Sequence, residues 1–191
     1  MKMFSKFVCC LVALMFAGAF PLFAQTPPDS LYRLGVALTD QDGHTFHLAD
    51  RQGKPQLVSM FYTSCQYTCP LIVETLKKDQ AALSASERAS LQVLLVSFDA
   101  QRDTPARLKQ VQAQRKIDAE SWTLARADAR DVRKLAAALD IQYRELPSGD
   151  FSHSSNIILL AADGRVLART DKLGDADSAF IAALHAALRP H

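Results

Sequence analysis

Two apolar runs, each of the length of a buried β-strand, constrain the fold of this chain more than any other feature. They span Gln56–Tyr62 and Leu91–Phe98. Each run leads into a segment with helical spacing of apolar residues, and Pro70 and Pro105 lie where the first turn of a helix tolerates proline. Buried strands that alternate with helices are typical of parallel strand pairing in an α/β sheet.

Two hairpins and further helical segments complete this pattern. Asp42-Gly43 and Asp163-Gly164 are hairpin turn signals, and each is flanked by short apolar runs. The spacing predicts another strand over 122–125, a helix over 131–139 and a last helix over about 176–188. The chain is therefore expected to adopt an α/β, thioredoxin-like fold. Its central mixed sheet is flanked by helices on both faces, and a hairpin precedes it.

The first 24 residues have the pattern of an export signal. Lys2 and Lys6 precede an apolar run that ends near Ala24, so the segment is predicted to be a signal peptide or, if uncleaved, a membrane anchor. Residues 25–33 are predicted to be a linker, and 34–191 a single domain in the periplasm, free or tethered to the inner membrane. Without residues 1–24 the chain carries equal numbers of basic and acidic side chains, which argues against nucleic-acid binding.

Cys65 and Cys69 are the only cysteines outside the predicted signal segment. In an oxidising compartment such a pair forms either a disulfide or a metal site. The pair lies between the first buried strand and the following helix, at the carboxyl end of a strand, where α/β proteins form their sites. A disulfide closing so short a loop adds little stability, so a chemical role is favoured over a structural one.

His153 is the candidate third member of this site. It lies in the polar stretch 149–154, predicted to be a loop that enters the next strand beside the cysteine turn. Two thiolates and one imidazole form a soft ligand set suited to copper. Zinc would lack its usual fourth ligand.

Four segments resemble the Sco/SenC family of copper chaperones. Residues 61–70 (FYTSCQYTCP) resemble the family's Cys-x-x-x-Cys-Pro signature, and 96–105 (VSFDAQRDTP) its Asp-Pro-x-Arg-Asp-Thr-Pro motif. Residues 150–154 (DFSHS) resemble its copper-binding Asp-His-Ser region, and 53–55 (GKP) the Gly-Lys before its first core strand. The resemblance covers about residues 34–188, with the motifs in the family's order.

The resemblance implies a thioredoxin-like fold and a copper ion bound by Cys65, Cys69 and His153, with Asp99 supporting the ligands or docking a partner. It also implies assembly of the binuclear copper A centre of cytochrome c oxidase. The expected partner of this monomer is the copper-bearing subunit of that oxidase, or another copper or thiol client. Gln66 and Ala100 stand where the family often has proline, and neither departure removes a ligand.

Two other functional classes use the same cysteines. A thiol–disulfide oxidoreductase that keeps client cysteines reduced needs only Cys65 and Cys69, as a catalytic redox pair. Its usual signature has two residues between the cysteines, whereas this chain has three. A peroxidase of the peroxiredoxin kind is disfavoured, because Tyr62 and Val58 occupy the positions where that class has threonine and proline.

Overall fold

The computed structural model describes residues 26–189 of the 191-residue chain. In this part of the chain the strands are β1 (Ala37–Asp40), β2 (Thr45–His47), β3 (Gln56–Phe61), β4 (Gln92–Ser97), β5 (Trp122–Arg126), β6 (Tyr143–Glu145), β7 (Phe151–His153), β8 (Ile157–Leu160) and β9 (Val166–Thr170). The helices are α1 (Thr68–Ala81), α2 (Ala85–Ser90), α3 (Pro105–Gln114), α4 (Ala129–Ala138) and α5 (Ser178–Ala187), with 3-10 helices at Leu31–Leu34 and Leu48–Arg51.

Seven of the strands form a mixed sheet in the order β2-β1-β5-β4-β3-β8-β9. The central strands β3, β4 and β5 are parallel, whereas β8 runs antiparallel to β3, and β1 antiparallel to β5. Right-handed crossovers between the parallel strands place α1 and α3 on one face of the sheet. There Lys77 Nζ of α1 donates at 2.7 Å to the carbonyl of Arg115, the residue that follows α3. The predicted α/β architecture, with a mixed sheet flanked by helices and a preceding hairpin, is confirmed.

The burial of each strand follows its place in the sheet. Every residue of β3 and β8 is buried, since both strands lie inside the sheet, whereas buried and exposed positions mix along the edge strand β9. Both predicted hairpin turns form. Gly164, with φ +84°, lies in the second turn, and a Cβ on it would come within 2.5 Å of Ser30 Oγ and the Tyr32 ring. This turn therefore needs glycine for its conformation and for the close approach of the N-terminal segment.

Local sequence signals set the starts of the helices. Thr104 caps α3 by accepting from the Arg107 amide, and Pro105 occupies the first turn, as predicted. The capping box that Ser84 and Glu87 form at the start of α2 was not recognised in the sequence, although its spacing is characteristic.

Several segments differ from the sequence expectations or lie outside the described residues. Residues 31–33, assigned to the linker, lie in a 3-10 helix in which Leu31 and Tyr32 are buried. The short pair β6–β7 was not predicted and forms a separate two-stranded sheet. The signal peptide or anchor predicted at 1–24 lies outside the described residues. Within 26–189, no helix combines the length and hydrophobicity needed to cross a bilayer.

Candidate metal centre

The two cysteines lie where β3 leads into α1. Cys65 belongs to the turn after the strand, three residues before α1 begins, and Cys69 is the second residue of the helix. Both side chains are buried free thiols. The pair thus lies at the junction of the first buried strand and the following helix, where the sequence pattern places it.

Cys65 replaces the missing side-chain cap of α1. Tyr67, at the N-cap position, makes no capping hydrogen bond with its side chain. Instead, the Cys69 amide donates to Cys65 Sγ at 3.2 Å, so the sulfur satisfies one of the free N–H groups at the helix start. An anionic sulfur is stabilised there, because a helix N-terminus carries partial positive charge.

Hydrogen bonding divides the two thiols into different protonation states. Hydrogen bonds to the Cys65 sulfur, above all from the Cys69 thiol and also from the Cys69 amide, lower the pKa of Cys65 to about 3 against the opposing effect of burial. The same hydrogen bond, together with burial, raises the pKa of Cys69 well above its ordinary value. The apo pair therefore consists of one thiolate, Cys65, and one thiol, Cys69.

His153 reaches this turn from a part of the chain 84 residues away from Cys69. The sequence predicted a loop here, whereas the structure places His153 at the end of β7, paired with Tyr143 of β6. The missed signal is the stretch Pro147-Ser148-Gly149, a turn between two segments that each carry an aromatic residue. Gly149 has φ +82° in this turn, and its amide donates to the Leu146 carbonyl.

The imidazole of His153 is held in the orientation of a metal ligand. Its Nδ1 lies 2.9 Å from the Ser154 carbonyl oxygen, which can only accept, so Nδ1 carries the proton. Nε2 lies 3.9 Å from Cys69 Sγ. In the neutral ring the Nε2 lone pair is therefore directed at the sulfurs. Histidines that bind metals commonly donate their other ring N–H to a carbonyl or carboxylate, which fixes the tautomer, and the contact of Nδ1 with the Ser154 carbonyl does the same here.

The three predicted ligands converge on one point. The Sγ atoms of Cys65 and Cys69 and a ring nitrogen of His153 lie within 4.8 Å of one another, and among residues 26–189 they form the sole such group of three or more cysteine, histidine or acidic side chains. A cleft of about 370 Å³ opens beside them, and Cys65 and His153 line it together with Gln66 and Tyr67, whereas Cys69 does not. Two sulfurs and one imidazole fit a soft ion such as copper, and the open cleft gives an incoming ligand access to it.

Aromatic rings form the wall behind His153. Its ring centroid lies 4.9 Å from that of Phe98 and 6.0 Å from that of Tyr62. Phe151, two residues before His153 and on the same face of β7, packs edge-on against Tyr62 at 5.2 Å. The rings limit the positions open to the imidazole and exclude water from one side of the site.

Asp99 is placed behind the site and contributes no atom to the three-ligand group. Its side chain is buried, and its carboxylate accepts from the Arg102 amide at 3.0 Å and from Arg102 Nε. Arg102 in turn donates to the Gly149 carbonyl, in the turn that leads into β7. Asp99 thus connects to the histidine side of the site through Arg102.

The chain matches one protein family over most of its length. The sequence model described as SCO1/SenC matches residues 30–189. A protein of Stutzerimonas stutzeri, provisionally named a copper-binding protein, is 27% identical over 133 residues. The match covers 68% of this chain and 64% of that protein, so the chain spans less than two thirds of its relative.

Solved structures share the fold. A protein of Aquifex aeolicus VF5, provisionally named an electron transfer protein, has a TM-score of 0.74 and 27% identity; the match covers 83% of this chain and 93% of that one. Bradyrhizobium japonicum ScoI, solved with copper bound, has a TM-score of 0.67 and 24% identity over 80% of this chain and 97% of that one.

Proposed function

This chain belongs to the SCO1/SenC family, and from that premise we propose that it is an exported copper-binding protein. Its cargo is a copper ion held by Cys65, Cys69 and His153. The proposed client is the copper-bearing subunit of cytochrome c oxidase, whose binuclear copper A centre the protein loads or prepares. The pattern of residues 1–24 supports delivery to the periplasm.

The observation that carries this proposal is the convergence of three soft donor atoms within 4.8 Å of one another, beside a cleft that Cys65 and His153 line. Thiolates select Cu(I), and an imidazole also suits Cu(II). Cys65 is already a thiolate in the apo protein because its pKa is low, so binding requires the loss of one thiol proton, that of Cys69. The provisional name of the Stutzerimonas stutzeri relative and the copper in Bradyrhizobium japonicum ScoI support the same metal.

Handover follows from the unequal attachment of the ligands. His153 lies on a short strand pair outside the main sheet, whereas both cysteines lie between a buried strand and its helix. A ligand from the client therefore displaces the imidazole first and then the sulfurs in turn. Oxidation of Cys65 and Cys69 to a disulfide removes both thiolates, so the redox state of the pair determines whether the protein binds copper.

The unequal thiols favour a second candidate function, reduction of a client disulfide. The Cys65 thiolate attacks one client sulfur, a mixed disulfide forms, and the first client thiolate leaves. Cys69 then loses its proton and attacks Cys65 Sγ, which releases the second client thiol and leaves a Cys65–Cys69 disulfide. The client gains two electrons that the pair loses, and a cellular dithiol must reduce the pair again.

A copper titration tests the proposed function. The reduced protein, as the cell exports it, is titrated with copper alongside His153→Ala. His44→Ala is the control, since His44 is exposed and pairs with Asp40 at 3.3 Å. We expect one bound copper ion in the parent and the control, and an altered sulfur-to-copper absorption with weaker Cu(II) binding in His153→Ala. Unchanged stoichiometry and absorption in His153→Ala would exclude His153 as a ligand and favour the reductase function.

An assay in cells tests the client. Cells lacking this protein are expected to lose the copper A absorption of their oxidase, and the parent gene is expected to restore it. Cys65→Ser is expected not to restore it. Restoration by Cys65→Ser would contradict a role of the copper site in oxidase assembly.

A further inference from the structure

The segment 99–103, between β4 and α3, makes contacts to both halves of the candidate copper site. One half is the turn 62–65 with Cys65, and the other is the strand β7 with His153. From the sequence, Arg102 and Asp103 are either a surface pair or the cap region of α3, and the family motif that contains them suggests no more than a place near the site. The structure instead directs these two adjacent side chains toward different halves of the site.

Asp103 holds the cysteine half. Its side chain is 1% exposed, and its carboxylate accepts from the Thr63 amide at 2.9 Å and from the hydroxyl groups of Thr63 and Ser97. Thr63 is two residues before Cys65, in the turn closed by the Cys65 amide and the Tyr62 carbonyl. A buried carboxylate with three donors is a strongly fixed anchor, so Asp103 determines where this turn leaves β3.

Arg102 holds the histidine half. Its Nε is paired with Asp99, whose side chain is 4% exposed, and its Nη2 donates to the Gly149 carbonyl. The guanidinium carbon lies 5.7 Å from the centroid of the Phe151 ring. A Cβ on Gly149 would lie 3.0 Å from Arg102 Nη1, so the guanidinium packs directly on this turn. Arginine suits such a bridge because its planar fork donates in two directions at once.

The strand pair β6–β7 depends on such contacts. A two-stranded hairpin is marginally stable by itself, and β6–β7 pairs with no strand of the main sheet. The Phe98 and Tyr143 rings stack at 5.1 Å, which attaches β6 to the end of β4. Arg102 supplies the corresponding attachment for the turn that precedes β7 and His153.

We propose that Arg102 and Asp103 are positioning residues that together set the distance between the His153 imidazole and the two sulfurs. Asp103 fixes the cysteine turn and Arg102 fixes the histidine strand. Backbone bonds join the two residues, and the Asp103 amide donates to the Asp99 carbonyl at 3.1 Å. The segment therefore acts as a rigid connection between two parts of the chain that are distant in sequence. This inference rests on the proposed function only in taking the three-donor group as the copper site.

Amide hydrogen exchange in the reduced apo protein separates the two roles. For Arg102→Ala we expect exchange of residues 149–154 to accelerate roughly tenfold or more, as the loss of a charge-assisted hydrogen bond predicts, while 62–66 stay unchanged. Thr63→Val removes one hydroxyl donor to Asp103 without burying a new charge. For this variant we expect the exchange of residues 62–66 to accelerate and that of residues 149–154 to stay unchanged. Arg107→Ala is the control, since Arg107 is exposed and bonds only its neighbour Gln110 through its side chain.

The copper-bound protein provides the second measurement. Arg102→Ala is expected to weaken the nitrogen coupling in the Cu(II) resonance spectrum and to retain the sulfur-to-copper absorption, whereas Arg107→Ala changes neither. Arg102→Lys keeps the charge beside Asp99 but lacks the fork, and is expected to resemble Arg102→Ala. Exchange that accelerates equally in both segments, or in neither, overturns the inference.

The two proposals fail separately. If no variant or parent binds copper while the exchange pattern appears as expected, the copper function is wrong and the positioning role stands. If copper binds through His153 while Arg102→Ala leaves residues 149–154 and the nitrogen coupling unchanged, the positioning role is wrong and the copper function stands.

Discussion

Replacing Cys69 with alanine tests the cause of the low pKa of Cys65. The largest cause is the hydrogen bond that the Cys69 thiol donates to the Cys65 sulfur. A hydrogen bond to a charged group contributes about 1.5–3 kcal/mol, and each 1.36 kcal/mol changes a pKa by about one. Cys69→Ala removes a donor that stabilises the thiolate, so the pKa of Cys65 should rise by about one to two. It should remain below that of an ordinary thiol, because the backbone amides of residues 67 and 69 still donate to the sulfur.

The assay is alkylation of the reduced apo protein by iodoacetamide over a range of pH, with the modified residue assigned by peptide mass. In the parent, the rate at Cys65 is expected to stay constant from neutral to mildly acidic pH and to fall only at strongly acidic pH. In Cys69→Ala the fall should begin at a higher pH. Cys65→Ala is the control and reports the slow reaction of the buried Cys69 thiol. An unchanged or lower pKa of Cys65 in Cys69→Ala would refute the role of the thiol hydrogen bond.

Two further predictions concern stability and are tested by urea unfolding. Burial raises the pKa of Asp79 to about 6, and one oxygen of the carboxylate has no hydrogen bond. The charged carboxylate therefore destabilises the fold above pH 6. Below about pH 4 the group is protonated in both the folded and the unfolded protein, so this effect is absent. Asp79→Asn should raise the free energy of unfolding by on the order of 1–3 kcal/mol at pH 8 and by little at pH 3.5. Asp175→Asn, at an exposed position, is the control. A lower free energy of unfolding for Asp79→Asn at pH 8 would contradict this prediction. Gly164→Ala should lower the free energy of unfolding by about 2–4 kcal/mol, because the new Cβ would meet the Tyr32 ring. Gly43 has a similar φ but open space around it, so Gly43→Ala should lower the free energy of unfolding by about 1 kcal/mol. Equal losses at the two glycines would show that backbone strain alone accounts for the effect.

Most of the main sheet could be predicted from local patterns. The runs that became β3 and β4 are each apolar at four of six positions, and the Asp-Gly turns specify hairpins through the conformational freedom of glycine. Pro105 marked the start of α3. These signals act over a few residues, so a single sequence contains them in full.

The candidate site was predictable in its chemistry and less so in its geometry. The cysteine pair and its place after a buried strand indicated a reactive or metal-binding turn, and the predicted fold and then the resemblance to the Sco/SenC family indicated His153. Neither indicated that the Cys65 sulfur accepts from the Cys69 amide. That contact depends on where the helix begins, and helix boundaries are poorly specified by sequence patterns.

By itself, the sequence determined which donor atoms the protein has and in which order the main strands and the helices between them occur. Only the tertiary structure decided that one imidazole meets two sulfurs from a segment 84 residues away, and that Arg102 and Asp103 serve opposite halves of the site. The physical reason is that residue type and periodicity act locally. The position of a short strand pair outside the main sheet depends instead on ring packing and on charge-assisted hydrogen bonds such as that of Arg102 to the Gly149 carbonyl, which form only when the distant segments are together.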